Sequence, residues 1–218
     1  MAFLIGQKSY LLCLAGSFFS GITLNALFVW TPTLFRRVHE FPPAKIGAYI
    51  GLTLGLGGAV GTVLGGSIVS RWGGLTNRWK AGQPAAASLL ATPFLCTMLF
   101  VDSTIVALIC LTVGSLLIFS LLGPLFSVFQ CVARARMRSV GTAIPNVIGT
   151  LGGLGLGALL IGMVSDSLAP AHGANAIRYA LFIPALCALP AALLYARAMS
   201  YIDADVRRTA KLDSCLNY

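Results

Sequence analysis

GPLFSVFQCVARARMRSVGTAIPNVIGTLGGLGLGALLIGMVSD, residues 123–166, is the stretch that decides the predicted fold. It begins with the end of one apolar run and contains a complete second run, residues 140–164, with no charge in its interior. Arg134, Arg136 and Arg138 lie between the two runs. The stretch therefore predicts two membrane helices joined by a short basic turn.

Glycines recur every four residues along the second helix. Gly149, Gly153 and Gly157 share one face, and Gly152 and Gly155 lie beside them. A glycine inside a helix costs roughly 1 kcal/mol relative to alanine, so we expect close packing against another helix to offset this loss. Two interpretations remain open at this point: plain helix packing, or a helix that slides against its neighbour in a transport cycle.

The whole chain has the composition of a polytopic membrane protein. Of its 218 residues, 57% are hydrophobic and 10% are charged, and the mean hydropathy is +0.88. These values lie outside the range of ordinary soluble domains. Because about 20 apolar residues cross a bilayer core, six spans are predicted: roughly residues 10–35, 44–70, 84–101, 104–130, 140–164 and 177–198. We expect a bundle over residues 10–200, flanked by a segment 1–9 and a tail 201–218.

The positive charges lie in the loops and predict an orientation. The net charge is +9, but cations between spans set topology, so nucleic acid is not an expected partner. Eleven of the Lys and Arg residues fall on the side of both termini and four on the other side. The charge distribution therefore predicts an integral membrane protein with segment 1–9 and tail 201–218 in the cytoplasm.

Cysteines and histidines give no sign of a cofactor, a metal or an enzyme. The six cysteines have no CxxC spacing, and most fall within spans as small hydrophobic residues. His39 and His172 lie in outer loops, and no pair of acidic residues lies inside a span. An intramembrane protease would need such a pair or a nucleophile with its base, so we expect no enzyme, metal or cofactor.

Four polar or aromatic residues are candidates for a substrate pathway. Asn25 lies near the middle of span one, and an amide there must face the bundle interior or a cavity. It is either a link between helices or a substrate contact. Trp30 is either a residue of the aromatic belt or a ligand contact. Gln130 and Asn146 complete the set.

Other residues are expected to shape or move the helices. Pro124 leaves the Ser120 carbonyl without its helical donor and predicts a break in span four. Asp166 closes span five at the negative end of the helix dipole. It should therefore pair with an outer arginine: Arg36, Arg37 or Arg178.

Span two carries two further glycine runs. Residues 47, 51 and 55 form one run, and residues 57, 61 and 65 form the other, so this helix is predicted to pack closely along its length. Span six carries no notable polar group and is predicted to support the bundle from outside. The two sets of three spans share a coarse pattern, which supports two inverted three-helix repeats.

The loop after span two resembles a signature of the major facilitator superfamily (MFS). Gly66-x-x-x-Ser70-Arg71-x-Gly73 is similar to G-x-x-x-D-R-x-G, with serine at the acidic position. Residues 10–200 more specifically resemble bacterial spinster-like transporters, through these motifs: Trp30-x-Pro32 with Arg36, Gly123-Pro124 with Gln130, Arg136-Met137-Arg138, Gly155-x-Gly157 with Gly162, and Ser165-Asp166. The resemblance implies helices seven to twelve of such a transporter: an all-α fold of six transmembrane helices, half of a major facilitator domain.

Two functions follow from this resemblance. The first is secondary active transport of a small molecule, with lipids and other amphiphiles among the candidates, in which the chain supplies half of a path between spans one, two, four and five. Its partners would be substrate, membrane lipids, and a second six-helix half or a homodimer partner. The alternative is a non-transporting truncated remnant or scaffold that uses the same packing surfaces.

Overall fold

The computed structural model describes residues 2–72, 77–134 and 137–214, and every regular element in these ranges is helical. The elements are α1 (Ala2–Ile5), α2 (Lys8–Val38), α3 (Pro43–Trp72), α4 (Arg78–Phe100), α5 (Thr104–Phe119), α6 (Leu122–Val132), α7 (Arg138–Thr150), a π-helical segment (Leu151–Gly157), α8 (Ala158–His172), a 3₁₀ turn (Gly173–Asn175), α9 (Ala176–Ala198) and α10 (Ile202–Ser214).

These helices form six rods of membrane length. Five stretches are long and apolar enough to cross a membrane, and the last of them, Arg138–Ala198, contains two rods. The 3₁₀ turn separates these two rods, and Gly173 adopts a positive φ of 54° there. The predicted all-α membrane fold is therefore confirmed. We call the end that carries α1 and α10 the inner end and the opposite end the outer end.

Span four breaks where its proline predicts. α5 ends at Phe119 and α6 begins at Leu122. Pro124 has no N–H for the Ser120 carbonyl, and this oxygen faces Gly65 of α3 so closely that a side chain at Gly65 would overlap it. The Ser120 hydroxyl accepts a hydrogen bond of 2.9 Å from Gln83 of α4. Neighbouring helices thus cover the broken backbone, as an apolar environment requires.

Span five is longer and less regular than the single α-helix predicted over residues 140–164. It runs from Arg138 to His172, with π-helical geometry over Leu151–Gly157. Four of these seven residues are glycine, so few side chains oppose the wider turn. Nearer the inner end, Pro145 leaves the Gly141 carbonyl without a helical donor, and the Tyr10 hydroxyl donates to this carbonyl at 3.1 Å. The sequence pattern alone did not indicate the π turn.

The glycine stripe of span five packs against α2, as predicted. A side chain at Gly153 would overlap the Asn25 amide and the Gly21 carbonyl, and one at Gly21 would overlap the Gly149 carbonyl. Gly152 faces the Phe18 ring, where an added Cβ would lie 2.8 Å from the nearest ring carbon. The two helix backbones therefore touch at this crossing.

Only one of the two glycine runs of span two packs closely. Side chains at Gly57, Gly61 and Gly65 would overlap atoms of the α5 rod, including backbone carbonyls. The prediction was wrong for residues 47, 51 and 55, because a Cβ added at any of them would have no neighbour within 4 Å. This run faces an open groove, which is described below.

Span six differs from its prediction in carrying a buried polar group. Tyr195 of α9 is fully buried, and its ring fills the space left by Gly16 of α2. Its hydroxyl lies 2.9 Å from the Ser20 hydroxyl. The Thr23 hydroxyl donates to the Pro184 carbonyl of α9 at 2.7 Å. α9 is thus joined by hydrogen bonds to the central helix α2.

The predicted partner of Asp166 is wrong within the described residues. Arg178 donates to Asp102 at 2.8 Å, joining the start of α9 to the turn between α4 and α5. Asp166 is exposed and makes no ion pair within the described ranges. Asp102 lies in the short 101–103 turn, beside Arg178. This arginine therefore pairs with Asp102 and not with Asp166 at the end of span five.

The outer cluster around this ion pair contains a histidine with a shifted pKa. His39 stacks on Phe35 and shares a 3.2 Å hydrogen bond with Thr104. Burial, and then the positive charge of Arg178, lowers the pKa of His39 below its ordinary 6.5, while Asp102 opposes the shift.

Because of His39, the protein should lose stability in mild acid. Since its folded pKa lies below its unfolded pKa, the unfolded chain takes up the proton first as the pH falls, so the free energy of unfolding decreases below about pH 6.5. We expect the melting temperature in detergent to fall between about pH 7.5 and about pH 5.5, and His39→Gln to reduce this fall. His172→Gln controls for the loss of a histidine elsewhere. An unchanged pH dependence in His39→Gln would contradict the assignment.

At the inner end, α10 folds back onto the start of α2. The Asp205 carboxylate accepts bonds from the Ser9 amide at 2.9 Å and the Ser9 hydroxyl at 2.6 Å. It thereby satisfies one of the free N–H groups in the first turn of α2, where a negative charge also suits the helix dipole. Thr209 accepts a bond from Gln7 and donates to the Val132 carbonyl at the end of α6. We call this set of contacts the inner clasp.

The inner clasp predicts unequal effects for two neighbouring aspartates. Asp205→Asn should lower the free energy of unfolding by about 1–2 kcal/mol, because it weakens a charge-assisted helix cap. Asp203→Asn is the matched control. Its pair with Arg78 is exposed, and such pairs contribute only about 0–1 kcal/mol. Denaturant titration of both purified variants measures the difference, and equal losses would remove the capping role of Asp205.

Candidate functional site

A cavity of about 100 Å³ lies between α2, the α5–α6 rod and α7 in the inner half of the bundle. We call it the inner cavity. Its walls are mostly apolar, with a few amides and hydroxyls. The polar side chains that line it are Ser17, Ser20, Asn25, Asn146 and Thr150.

Asn25 lies where α2 crosses the π-helical segment. Its Nδ2 donates to the Gly21 carbonyl of its own helix at 2.9 Å. The side chain is half-buried and also lines the inner cavity. The glycine at position 153 leaves room for it, because any side chain there would overlap the amide. The structure therefore places Asn25 both at the crossing and at the cavity wall.

Asn146 faces the same cavity from α7. It is exposed, and it follows Pro145, which is itself buried and part of the lining. Thr150 and Gly149 lie one turn further along this rod. Asn25 and Asn146 thus approach the inner cavity from two different helices.

Trp30 and Gln130 lie outside the inner cavity. The Trp30 ring packs against the bundle near Gly162, where an added Cβ would lie 3.6 Å away. Its indole nitrogen is buried and has no hydrogen-bond partner among the described residues. Gln130 is exposed near the inner end of α6. Of the four predicted pathway residues, the structure brings together two.

A second, larger space opens toward the outer end. This outer groove has a volume of about 700 Å³ and lies between α2, α3 and α5. The glycines at 47, 51 and 55 line one side, and Phe28 and Phe119 line the other. Leu122 belongs to the linings of both the groove and the inner cavity. The two spaces therefore follow one another along the same rods.

Neither space has an ionisable side chain in its described lining. Apolar walls with a few neutral hydrogen-bonding groups suit a ligand with a large apolar part. The described residues also contain no group of three His, Cys, Asp or Glu that could hold a metal ion. The site therefore offers shape, amides and hydroxyls for binding.

Comparison with solved structures decides the fold of the bundle. The chain superposes on the inward-facing, unoccupied structure of a bacterial homologue of the human lysosomal transporter Spinster with a TM-score of 0.68 and 19% identity, covering 94% of this chain and 49% of that one. The occupied, inward-facing structure gives a TM-score of 0.66 and 18% identity, with coverage of 93% and 50%. The chain has the fold of half an MFS transporter.

Sequence comparison gives a match of similar extent. An MFS-type efflux pump of Mycolicibacterium smegmatis is 23% identical over 209 residues, which is 95% of this chain and 48% of the pump. No protein-family model matches the chain. The chain thus spans about half the length of the relatives it matches.

The described residues of the predicted loop motif lie at the inner end. Gly66 lies near the inner end of α3, where an added Cβ would have no neighbour within 4 Å, and the Ser70 hydroxyl donates to the Ser67 carbonyl at 2.9 Å. Arg71 and Arg138 are both exposed. Gly73 and Arg136 lie outside the described residues.

The sequence analysis missed several polar residues of the site. Ser17, Ser20 and Thr150 line the inner cavity, although only the asparagines were singled out. A usable signal was present, because Ser17, Ser20 and Gly21 lie on adjacent turns of an otherwise apolar span. Hydroxyls are common on membrane helices, however, and most of them donate to their own helix, as Ser17 does to the Cys13 carbonyl.

Proposed function

We propose that the chain is the C-terminal half of a secondary active transporter that moves a small molecule, with amphiphiles and lipids as the class to test. The observation that carries the proposal is the inner cavity, where amides from α2 and α7 face one apolar space at the middle of a half-MFS fold. Central sites between bundles are where such folds bind substrate.

In this proposal the MFS half supplies one wall of the site and no coupling proton. The described linings are neutral, whereas proton relays within membranes use carboxylates or histidines. A second six-helix half would therefore supply both the facing wall and the coupling group. A homodimer would supply a wall but no additional kind of residue.

The orientation belongs to the same proposal. Among the described residues, the inner end carries Arg71, Arg78, Lys80, Arg134 and Arg138. It should therefore face the cytoplasm of a bacterial inner membrane. Single cysteines at positions 78 and 172 test this in intact cells. An impermeant maleimide should label position 172 and spare position 78, and the reverse pattern would invert the orientation.

Reconstitution tests the function. The purified chain would be placed in liposomes under a pH gradient, with and without a six-span N-terminal half from a spinster-like relative. Uptake of labelled lysolipids and small amphiphiles should appear only in the co-assembled sample. Gradient-driven accumulation by the chain alone would overturn the half-transporter proposal. Physical co-assembly without uptake of any probe would favour the scaffold alternative.

A further inference from the structure

We propose, building on the function proposed above, that Phe28, Phe119 and Leu122 form this half's share of a barrier between the inner cavity and the outer groove. The barrier would separate substrate on the inner side from substrate on the outer side. No charged or strongly polar group takes part in it.

The positions of the two spaces along span four locate the barrier. Along span four, the inner cavity is lined from Phe129 outward to Ile118, whereas the outer groove is lined by Leu122 and Phe119 and extends along α3 toward Gly47 at its outer end. Leu122 is the residue of span four that both linings share. The two spaces therefore meet near the middle of the bundle.

Two contacts hold the Phe119 ring at this junction. It packs edge to face against Phe28 of α2, with ring centroids 5.5 Å apart and an interplanar angle of 86°. On its other side it lies against Gly58 of α3, where an added Cβ would be 3.4 Å from the ring. A larger residue at position 58 would displace the ring. The aromatic pair thus bridges α2 and α3 along the wall of the outer groove, three residues along span four from Leu122, which lines both spaces.

The junction coincides with the break in the helix. Phe119 is the last residue of α5, and Leu122 is the first residue of α6. α5 is fixed to α3 by the close contacts of Gly57 and Gly61, whereas α6 follows a backbone that lacks the hydrogen bond removed by Pro124. A change of angle at this break would separate Leu122 from Phe119. The two halves of the barrier therefore lie on either side of the break between α5 and α6.

The chemistry of these side chains suits a barrier. Two phenyl rings and a leucine offer no hydrogen bond to water or to a polar head group, so a narrow passage between them resists hydration. An amphiphile could pass when the passage widens, because its apolar part is compatible with the same surface.

Sided labelling of the chain, co-assembled with a six-span N-terminal half from a spinster-like relative in sealed vesicles, tests the barrier. Asn146→Cys reports on the inner cavity and Gly51→Cys on the outer groove, and the parent chain with its native cysteines gives the background. An impermeant maleimide added at the outer face should label Gly51→Cys but leave Asn146→Cys near background. Adding Phe119→Ala and Leu122→Ala to Asn146→Cys should raise its labelling rate at least tenfold.

Matched variants separate the barrier from general damage. Phe119→Leu keeps an apolar side chain and should keep Asn146→Cys protected, and so should Ile109→Ala, which removes an exposed side chain from the same helix. Phe28→Ala is the second opening variant, because this ring is 49% exposed and its loss leaves little void in the core. Normal gel-filtration profiles would show that each variant is folded.

Each outcome of this test decides the proposal. Labelling of Asn146→Cys from the outer face in the parent background would overturn it, as would a missing label on Gly51→Cys. Unchanged protection in folded variants that lack Phe119 and Leu122, or Phe28, would also overturn it. The test uses no substrate, so absent transport with a clear labelling contrast would reject the proposed function and keep the barrier.

Discussion

Gly153→Leu should sharply reduce the yield of folded protein. The added side chain would meet the Gly21 carbonyl and the Asn25 amide where α2 crosses the π-helical segment. A backbone carbonyl cannot rotate away, so the helices must separate. Overpacking of this kind costs about 1–3 kcal/mol or more, which corresponds to a change of about 5- to 150-fold in the ratio of folded to unfolded chains.

Gly155→Leu is a close control for this prediction. It makes the same substitution in the same π-helical segment, but a Cβ at Gly155 has no neighbour within 4 Å. Detergent-solubilised yield and thermal unfolding, measured side by side, should place Gly155→Leu near the parent and Gly153→Leu far below it. If both variants lost the same fraction of folded protein, the glycines would be needed for the backbone conformation of this segment and not for the close crossing of the helices.

On the proposed function, Asn25→Leu and Asn146→Leu should each weaken substrate binding by about fivefold or more. Leucine removes an amide from the inner cavity and leaves any hydrogen-bonding group of the substrate unpaired, which costs about 1–3 kcal/mol. The two asparagines come from different helices, so both losses should appear, and the double variant should bind more weakly than either single variant. Binding of a labelled amphiphile to the co-assembled transporter measures the change.

Gln130→Leu is the control for the asparagine variants. It removes the same kind of group, a side-chain amide, from an exposed position outside the cavity lining. Binding should therefore stay within about twofold of the parent. Losses of equal size at all three positions would show that the inner cavity is not the binding site. Folded yield of each variant, measured beforehand, separates weaker binding from poorer assembly.

The fold of this chain could be predicted well from the sequence because the bilayer restricts what the backbone can do. Long apolar runs with charged ends must be helices, so the number and order of the spans follow from hydropathy. Pro124 also predicts the break in span four, because a missing N–H has a local effect. These predictions depend on single segments and not on how the segments face one another.

Features that depend on which faces of the helices meet were harder to predict from the sequence. The two glycine runs of span two have the same spacing, yet residues 57, 61 and 65 meet α5 while residues 47, 51 and 55 face a groove. Asp166 was matched to an outer arginine by side of the membrane, but Arg178 lies beside Asp102 instead. Spacing defines a stripe, and only the packed structure shows what it faces.

For the same reason, the candidate site could be predicted only in part. Asn25 and Asn146 stood out because amides are rare inside apolar spans, and both line the inner cavity. Phe28, Phe119 and Leu122 did not stand out, since aromatic and leucine residues are the ordinary content of a membrane helix. Their juxtaposition depends on three helices and on the break between α5 and α6.

The inner clasp also constrains the order in which the bundle can assemble during synthesis. Ser9 enters the membrane early, but Asp205, which caps its helix, leaves the ribosome almost 200 residues later. Until then the first turn of α2 must rely on water or lipid head groups for its free N–H groups. α2 can therefore insert before α10 has been made, but its inner end becomes fixed only after α10 has been translated. Chains that are stalled or cut before α10 should carry a mobile inner end, which exposes them to quality-control proteases.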